Sequence, residues 1–400
     1  MTYAWNYFNA ERPPLPPRRR SRAAELQGQV ERMVEKLQMA VIYGGDKATQ
    51  GAVINPTGNP RSWKSYESVA HDVAAALRRL GCSKVSVLPE DMRLGERLRS
   101  EGIQMAWLNS GGVQGYNAIA HASAMLEMFG IPYVGHTPLI AATLDSKHVF
   151  KRHLAAAGIA TAPFLVWQLG QGTFRPNEID RFRTAFANWT GGFIVKPVSG
   201  RASLHVNFVA DAADLQEVVA DVQKITQNAV LIEGFLSGRE YCVAACGPVV
   251  SRSRTLERLD APFAFACVER VLGDQEKVFT SMDISPITND RVRMLGGPDD
   301  AKTMEDLQAL AKDVFIELGL EALVRLDVRA DGEGKLHVLE ANPKPDLKAP
   351  SQQSTSIICA GLPFEHMDYD DLILSLLADK VDFLFRERRS SANVLLELAA

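Results

Sequence analysis

The chain has 400 residues, of which 46% are hydrophobic and 23% charged, with a formal net charge of −4 and a pI near 6.1. This is the composition of a globular chain long enough for two or three domains with real cores, and it excludes a disordered, fibrous or repetitive polymer. The slight acidity offers no broad basic field for nucleic acid, and no apolar run approaches the roughly 18 residues that cross a bilayer.

In chain order, Pro13-Pro-Leu-Pro-Pro17 and Arg18-Arg-Arg-Ser-Arg22 form a polyproline-like and then basic stretch, read either as a loosely docked extension or as a docking or lid element. It lacks the apolar core of a signal peptide, so the expected location is cytoplasmic, with no membrane partner. Leu26, Val30, Met33, Val34 and Leu37 share one stripe and predict a helix over Ala23–Leu37. Met39–Tyr43 reads as a buried strand ending at Gly44-Gly45, and Val69–Leu80 as a helix closed by Gly81. Val85–Leu88, Met105–Leu108 and Pro132–Val134 are further strands, with a helix over Asn117–Phe129. Strand alternating with helix at this spacing argues a parallel, doubly wound sheet. Gly44-Gly45 and Ser110-Gly111-Gly112 then lie at strand ends, where open α/β sheets present ligands.

After Thr143 the pattern becomes a helix through Lys147, Lys151 and Ala157, followed by strands at Phe164–Trp167, Gly192–Lys196 and from Leu231. A third region starts near Tyr241 and ends in a helix over Tyr369–Phe385. The expected division is an extension 1–37, an N-terminal α/β domain 38–143, a central region 144–233 and a C-terminal region 234–400. Five scattered cysteines, an odd number without metal spacing, read as buried free thiols in a reducing compartment, with Cys242 and Cys246 as small core residues.

Three features carry chemistry. Lys196 ends an apolar strand before the small-residue loop Ser199-Gly-Arg-Ala-Ser203, where a cation and a backbone loop can close on a triphosphate; taken alone, a surface lysine is the alternative. Leu231-Ile-Glu233 can offer backbone groups to an adenine edge and Glu240 can accept from ribose hydroxyls, although each acid alone could simply be solvated. Val324–Pro343 reads as a hairpin. Arg325 and Asp327 share one face of its first strand, Glu340 and Asn342 one face of its second, and Asp331-Gly-Glu-Gly334 forms the turn. Pairing these strands converges oxygen ligands suited to magnesium; a solvated polar face is the alternative.

In this order and at these distances, Asp145-Ser-Lys147, Val195-Lys-Pro197, Glu233 with Gly238-Arg-Glu240, Arg325-x-Asp327 and Glu340-x-Asn342 resemble the ATP-grasp superfamily. Gly115–Ala118 and Ile131-Pro-Tyr-Val-Gly135 ahead of Asp145 resemble the D-alanine:D-alanine ligase branch, over roughly Met39 to Leu377. The resemblance implies an α/β fold, α+β in parts, of three domains. A parallel N-terminal domain precedes central and C-terminal domains that clasp ATP. Lys147 and Lys196 would meet adenine and phosphates, Glu233, Gly234 and Phe235 the adenine edge, Glu240 the ribose, and Lys277 the terminal phosphate. Asp327, Glu340 and Asn342 would hold two magnesium ions, replaceable by manganese, while Arg325 and Ser203 would act beside Lys277 in catalysis. The implied reaction turns a carboxylate into an acylphosphate, which an amine attacks.

The chain departs from that branch in several places. The branch has a glutamate shortly after Gly-Gly that takes the amino group of the first D-alanine; here Asp46-Lys-Ala-Thr-Gln50 follows, with Asp46 its acid. The usual lysine-tyrosine pair is Lys277-Val278, and the serine loop is Arg201-Ala-Ser-Leu-His205, retaining Ser203. Asn342-Pro-Lys-Pro-Asp346 is followed by Lys348 and Ser351. Ser351 falls where the branch holds the acceptor carboxylate, and Lys344 and Lys348 either assist it or are solvated. The expectation is an ATP-dependent carboxylate–amine ligase making a peptide-like amide from small molecules in specialised metabolism, as a homodimer. A housekeeping D-alanine:D-alanine ligase and a non-catalytic nucleotide-binding protein are the alternatives.

Overall fold

A computed structural model of the protein describes residues 19–45, 65–200, 203–273, 276–278, 291–351 and 356–400. The readings for residues 1–18, for Asp46–Gln50 and for Arg201-Ala202 lie outside the described residues. The chain runs α1 (Arg19–Lys36), β1 (Gln38–Gly44), α2 (Glu67–Arg79), β2 (Lys84–Glu90), α3 (Leu94–Ser100), β3 (Met105–Asn109), α4 (His121–Met128) and β4 (Tyr133–Val134). It continues through α5 (Pro138–Asp145), α6 (Lys147–Ala156), β5 (Phe164–Trp167), α7 (Asp180–Ala185), β6 (Phe193–Pro197), β7 (Asn207–Val209), α8 (Leu215–Thr226) and β8 (Val230–Gly234). Next come β9 (Glu240–Cys246), β10 (Val249–Arg252), β11 (Thr255–Arg258), β12 (Phe263–Ala264), β13 (Val268–Arg270) and β14 (Val292–Met294). Last are α9 (Ala301–Glu317), β15 (Val324–Ala330), β16 (Leu336–Asn342), α10 (Ile357–Gly361), α11 (Tyr369–Glu387) and α12 (Asn393–Ala399).

The first sheet has the order β2-β1-β3-β4, and every pairing in it is parallel. Parallel strands need crossovers on the faces, and the interior of β1 is accordingly apolar on both sides. A four-stranded antiparallel sheet, β5-β8-β6-β7, follows, and then a six-stranded sheet, β14-β13-β9-β15-β16 with β12 beside β9. The last two sheets form the walls of a cleft.

One departure from the sequence reading places a functional residue. The helix expected after Thr143 is two helices, with Pro138 opening α5 and Ser146, in an extended conformation, breaking it from α6. That break puts Lys147 at the first position of α6. The helix α1 is packed on the body of the protein. Leu26, Val30, Met33 and Val34 are buried in one core with Leu372 and Leu377 of α11 and Leu395 of α12, each such side chain contributing about 1.5–3 kcal/mol of burial. Arg32 Nε donates to the Ala399 carbonyl at 2.8 Å, and the Leu256 N–H donates to Gln27 Oε1 at 2.8 Å. The first sheet and the C-terminal helices thus share one interior. All five cysteines are buried with free thiols. Among the described residues no helix is long and apolar enough to cross a membrane.

Inside this core Asp379 of α11 accepts from the Val249 N–H at 3.1 Å, and Gly247 lies so close that a Cβ there would collide with its carboxylate. Burial pushes the Asp379 carboxyl from 3.8 up to about 7, which the Val249 N–H only partly offsets. The folded state therefore keeps a proton that the unfolded chain releases. This stabilisation is complete below the unfolded value of 3.8 and is lost as pH rises through about 7. Asp379→Asn, which keeps the acceptor oxygen, should raise the melting temperature at about pH 8 by clearly more than at about pH 5; an equal shift at both would contradict the buried-proton account.

Candidate active site

The cleft between the two antiparallel sheets has a volume of about 780 Å³, and Lys147, Lys196, Glu233, Glu240, Asp327 and Glu340 are among its lining residues. β15 and β16 pair antiparallel, with Arg325 opposite Asn342 and Asp327 opposite Glu340. The next pair is Val328 with Val338, so Leu339 is an extra residue. That bulge turns Leu339 and Glu340 toward the cleft.

Each carboxylate of the cleft faces cations. Arg325 Nε lies 2.9 Å from Asp327 Oδ1 and Arg270 3.0 Å from Asp327 Oδ2. Burial pushes the Asp327 carboxyl up, but Arg270 and Arg325 outweigh it and bring it down to about 2. Cys242 Sγ, 3.4 Å from Asp327 Oδ1, is held by burial up to about 12 and remains a thiol that donates. Arg270 also reaches Glu240 Oε1 at 2.9 Å, and Arg329 reaches Glu240 Oε2 at 3.4 Å. The Arg329 guanidinium stacks 4.8 Å over the ring of Phe235, which meets Phe208 edge-on. Lys147 donates to the Gly200 carbonyl at 2.8 Å and lies 3.3 Å from Glu340 Oε2.

Glu233 on β8 is 2% exposed. Lys196 bonds one of its oxygens, and Lys151 lies 3.0 Å from the other, as an ion-pair contact rather than an aligned hydrogen bond. Burial would raise this carboxyl, but the two lysines bring it down to about 2.

The structure therefore brings Lys147, Lys196, Glu233, Gly234, Phe235, Glu240, Asp327 and Glu340 to one cleft, with Arg325 and Asn342 in register beside them. Ser203 lines it too, in a left-handed backbone conformation. Lys277 is exposed, and it is its carbonyl that Arg329 holds, at 2.9 Å; Val278 lines the cleft instead. Lys348 is ion-paired with Asp72 of α2 at 2.8 Å, and the Ala349 N–H donates to the same oxygen, so Lys348 fastens its loop rather than standing solvated. Lys344 sits over the ring of Tyr66, and Ser351 is exposed.

Sequence reasoning missed Lys151, Arg270, Arg329 and Glu67. Lys151 repeats Lys147 one helical turn on, and Arg329 continues the face of Arg325 and Asp327, so both carried a local signal. Arg270 carried none. Glu67 opens α2, where Ser65 accepts from the Gly44 N–H at 2.9 Å. The chain thus returns to Gly44-Gly45 before the helix begins. Burial and the neighbouring Glu67 both raise the Tyr43 hydroxyl, and Asn109 donates to the Tyr66 carbonyl at 3.0 Å. Glu67, the end of the parallel sheet and the loop carrying Lys344 therefore meet.

Two carboxylates and an amide are hard oxygen donors of the kind that fit a divalent cation, and Arg270 and Arg325 keep the Asp327 carboxyl ionised and so able to coordinate. Among the described residues no larger group of His, Cys, Asp or Glu is arranged to hold a metal.

Residues 153–378, more than half of the chain, match the family described as D-ala D-ala ligase C-terminus. A D-alanine–D-alanine ligase of Pseudomonas putida is 30% identical over 348 residues, 86% of this chain and 93% of its own. An uncharacterised protein of Sinorhizobium fredii is 28% identical over 333 residues, 77% of this chain and 89% of its own. The solved D-alanine–D-alanine ligase of Bacillus anthracis shares the fold with a TM-score of 0.61 at 19% identity, over 88% of this chain and 99% of that one.

Glu233→Gln should destabilise the chain by about 3–5 kcal/mol near pH 7, because two buried lysines lose their counter-charge. The folded Glu233 carboxyl lies below its unfolded value, so its contribution is present above 4.5 and lost as pH falls through about 2. Denaturant unfolding should show the gap between variant and wild type narrowing below 4.5; a constant gap would contradict the ion-pair account.

Proposed function

We propose, from the premise that this chain belongs to the D-alanine–D-alanine ligase family of ATP-grasp enzymes, that it joins two small amino acids through an acylphosphate. The coarse activity, an ATP-dependent, ADP-forming ligase that makes a C–N bond, comes with that membership. The names of the relatives favour D-alanine as donor and acceptor over the specialised product expected from the sequence. The observation that carries this reading is the position of Glu67. In place of the branch's amino-group carboxylate, expected at Asp46, this reading uses Glu67, the first residue of α2, exposed beside Tyr43 at the strand end. An amino-acid donor therefore keeps its anchor.

In this reading Lys147 and Lys196 neutralise the phosphates. Glu233 and the backbone of Gly234 and Phe235 take the adenine edge, and Glu240 takes the ribose. Asp327, Glu340 and Asn342 would hold magnesium, two ions or manganese in their place, which supplies charge compensation when bound. A carboxylate oxygen of the donor attacks the γ-phosphorus and ADP leaves. Arg325, fixed by Asp327, faces the charge that develops as the acceptor amine then attacks the acyl carbon. Ser203 and the Lys277-Val278 segment bound the site and limit water, which would hydrolyse the acylphosphate. Ser351 and Lys344 take the acceptor carboxylate, with Lys348 holding their loop on Asp72. A cytoplasmic location and a homodimer belong to the same proposal, as the resemblance implies. The set of phosphoryl-transfer groups argues against a purely non-catalytic binder.

With D-alanine, ATP and magnesium, D-alanyl-D-alanine and ADP should appear in equal amounts by mass spectrometry; ADP release only with other carboxylates would overturn the substrate while keeping the ligase. Glu67→Gln should raise the KM for the first amino acid about tenfold or more without moving that for ATP, since one charge-assisted hydrogen bond is lost. Glu340→Gln should remain folded by circular dichroism and lose ADP formation; unchanged turnover would remove Glu340 from the reaction.

A further inference from the structure

Two lysines of α6, one turn apart, reach different partners. Lys147 lines the cleft. Lys151 is fully buried, lies 3.0 Å from Glu233 and donates to Thr161 Oγ1 at 2.6 Å. Thr161 in turn donates to the Val338 carbonyl at 2.7 Å, and the Val338 N–H donates to the Ala160 carbonyl at 2.9 Å. Val338 is the last regular pair before the bulge that turns Glu340 into the cleft. One buried cation thus connects Glu233, on one wall, with the strand carrying Glu340 on the other.

A buried lysine is expensive to desolvate, and a second cation on Glu233 is not needed to neutralise one carboxylate that Lys196 already bonds. With Lys151 removed, Lys196 is the cation left on Glu233, and a carboxylate drawn wholly toward Lys196 turns away from a base. With both lysines in place the carboxylate is held between them. Such a fixed acceptor suits a purine bearing an exocyclic amine.

We propose that Lys151 is a positioning residue for nucleotide selection, holding the Glu233 carboxylate toward the exocyclic amine of adenine and setting it, through Thr161, against the bulge that presents Glu340. This rests on the reading of the cleft as an ATP site. The experiment compares ADP release from ATP with IDP release from inosine triphosphate, which lacks that amine, in wild type, Lys151→Met, Lys151→Arg and Thr161→Val, with thermal melts alongside. Lys151→Met should raise the KM for ATP about tenfold, as expected for one charge-assisted hydrogen bond, and leave those for inosine triphosphate and the amino acid in place. The ATP preference then collapses, and Lys151→Arg restores most of it. Should Lys151→Met not fold, Thr161→Val carries the same readout, with a smaller loss of preference expected. A folded variant that melts earlier but keeps the wild-type ratio would overturn the proposal and leave Lys151 a structural residue. A wild-type chain that uses neither nucleotide would instead overturn the reading of the cleft, and the role of Lys151 with it.

Discussion

Charge burial between two sheets is the constraint on which the cleft depends. Isolated carboxylates in such a place would protonate or draw in water, and here each is held by at least one cation from another element. Glu233 is met by Lys151 and Lys196, Asp327 by Arg325 and Arg270, Glu240 by Arg270 and Arg329, and Glu340 by Lys147. Among these groups the six cations outnumber the four carboxylates, so the wall carries surplus positive charge although the chain is acidic overall. That surplus suits a triphosphate, and the interleaved carboxylates suit the cations that accompany one.

The fold delivers this arrangement through small irregularities in regular elements. Ser146 separates α5 from α6 and sets Lys147 at a helix start. The extra residue at Leu339 keeps Asp327 opposite Glu340 while shifting the rest of the hairpin. Asp72 fastens the loop beyond Asn342 to α2, the helix that begins with Glu67. Glu67 and the loop carrying Lys344 are thereby linked to the same helix, and α2 packs in the core shared with the C-terminal helices.

Much of this was legible because it is local. The alternation of Val324–Val328 and the turn at Asp331–Gly334 specify the hairpin, and Lys196 at the end of an apolar run specifies a strand-end cation. What was not legible depends on contacts distant in sequence. Arg270 sits in a short strand with no motif, and its role exists only because β13 lies beside β9, which carries Glu240. Glu67 was hidden because a segment separates it from Gly44-Gly45, so a search of the residues directly after the glycines stops at Asp46. Cys242 looked like core, and it is core, yet its thiol also donates to Asp327. Lys277, expected at the terminal phosphate, is exposed, and its carbonyl accepts from Arg329.

The central claim is that this cleft drives amide formation by placing phosphate on a carboxylate oxygen. Turnover with D-alanine labelled with ¹⁸O in its carboxyl group tests it most directly. Attack by that oxygen on the γ-phosphorus, followed by cleavage of the acyl C–O bond by the amine, sends a labelled oxygen into inorganic phosphate with each amide formed. The account predicts that transfer. Amide and ADP accompanied by unlabelled phosphate would contradict it.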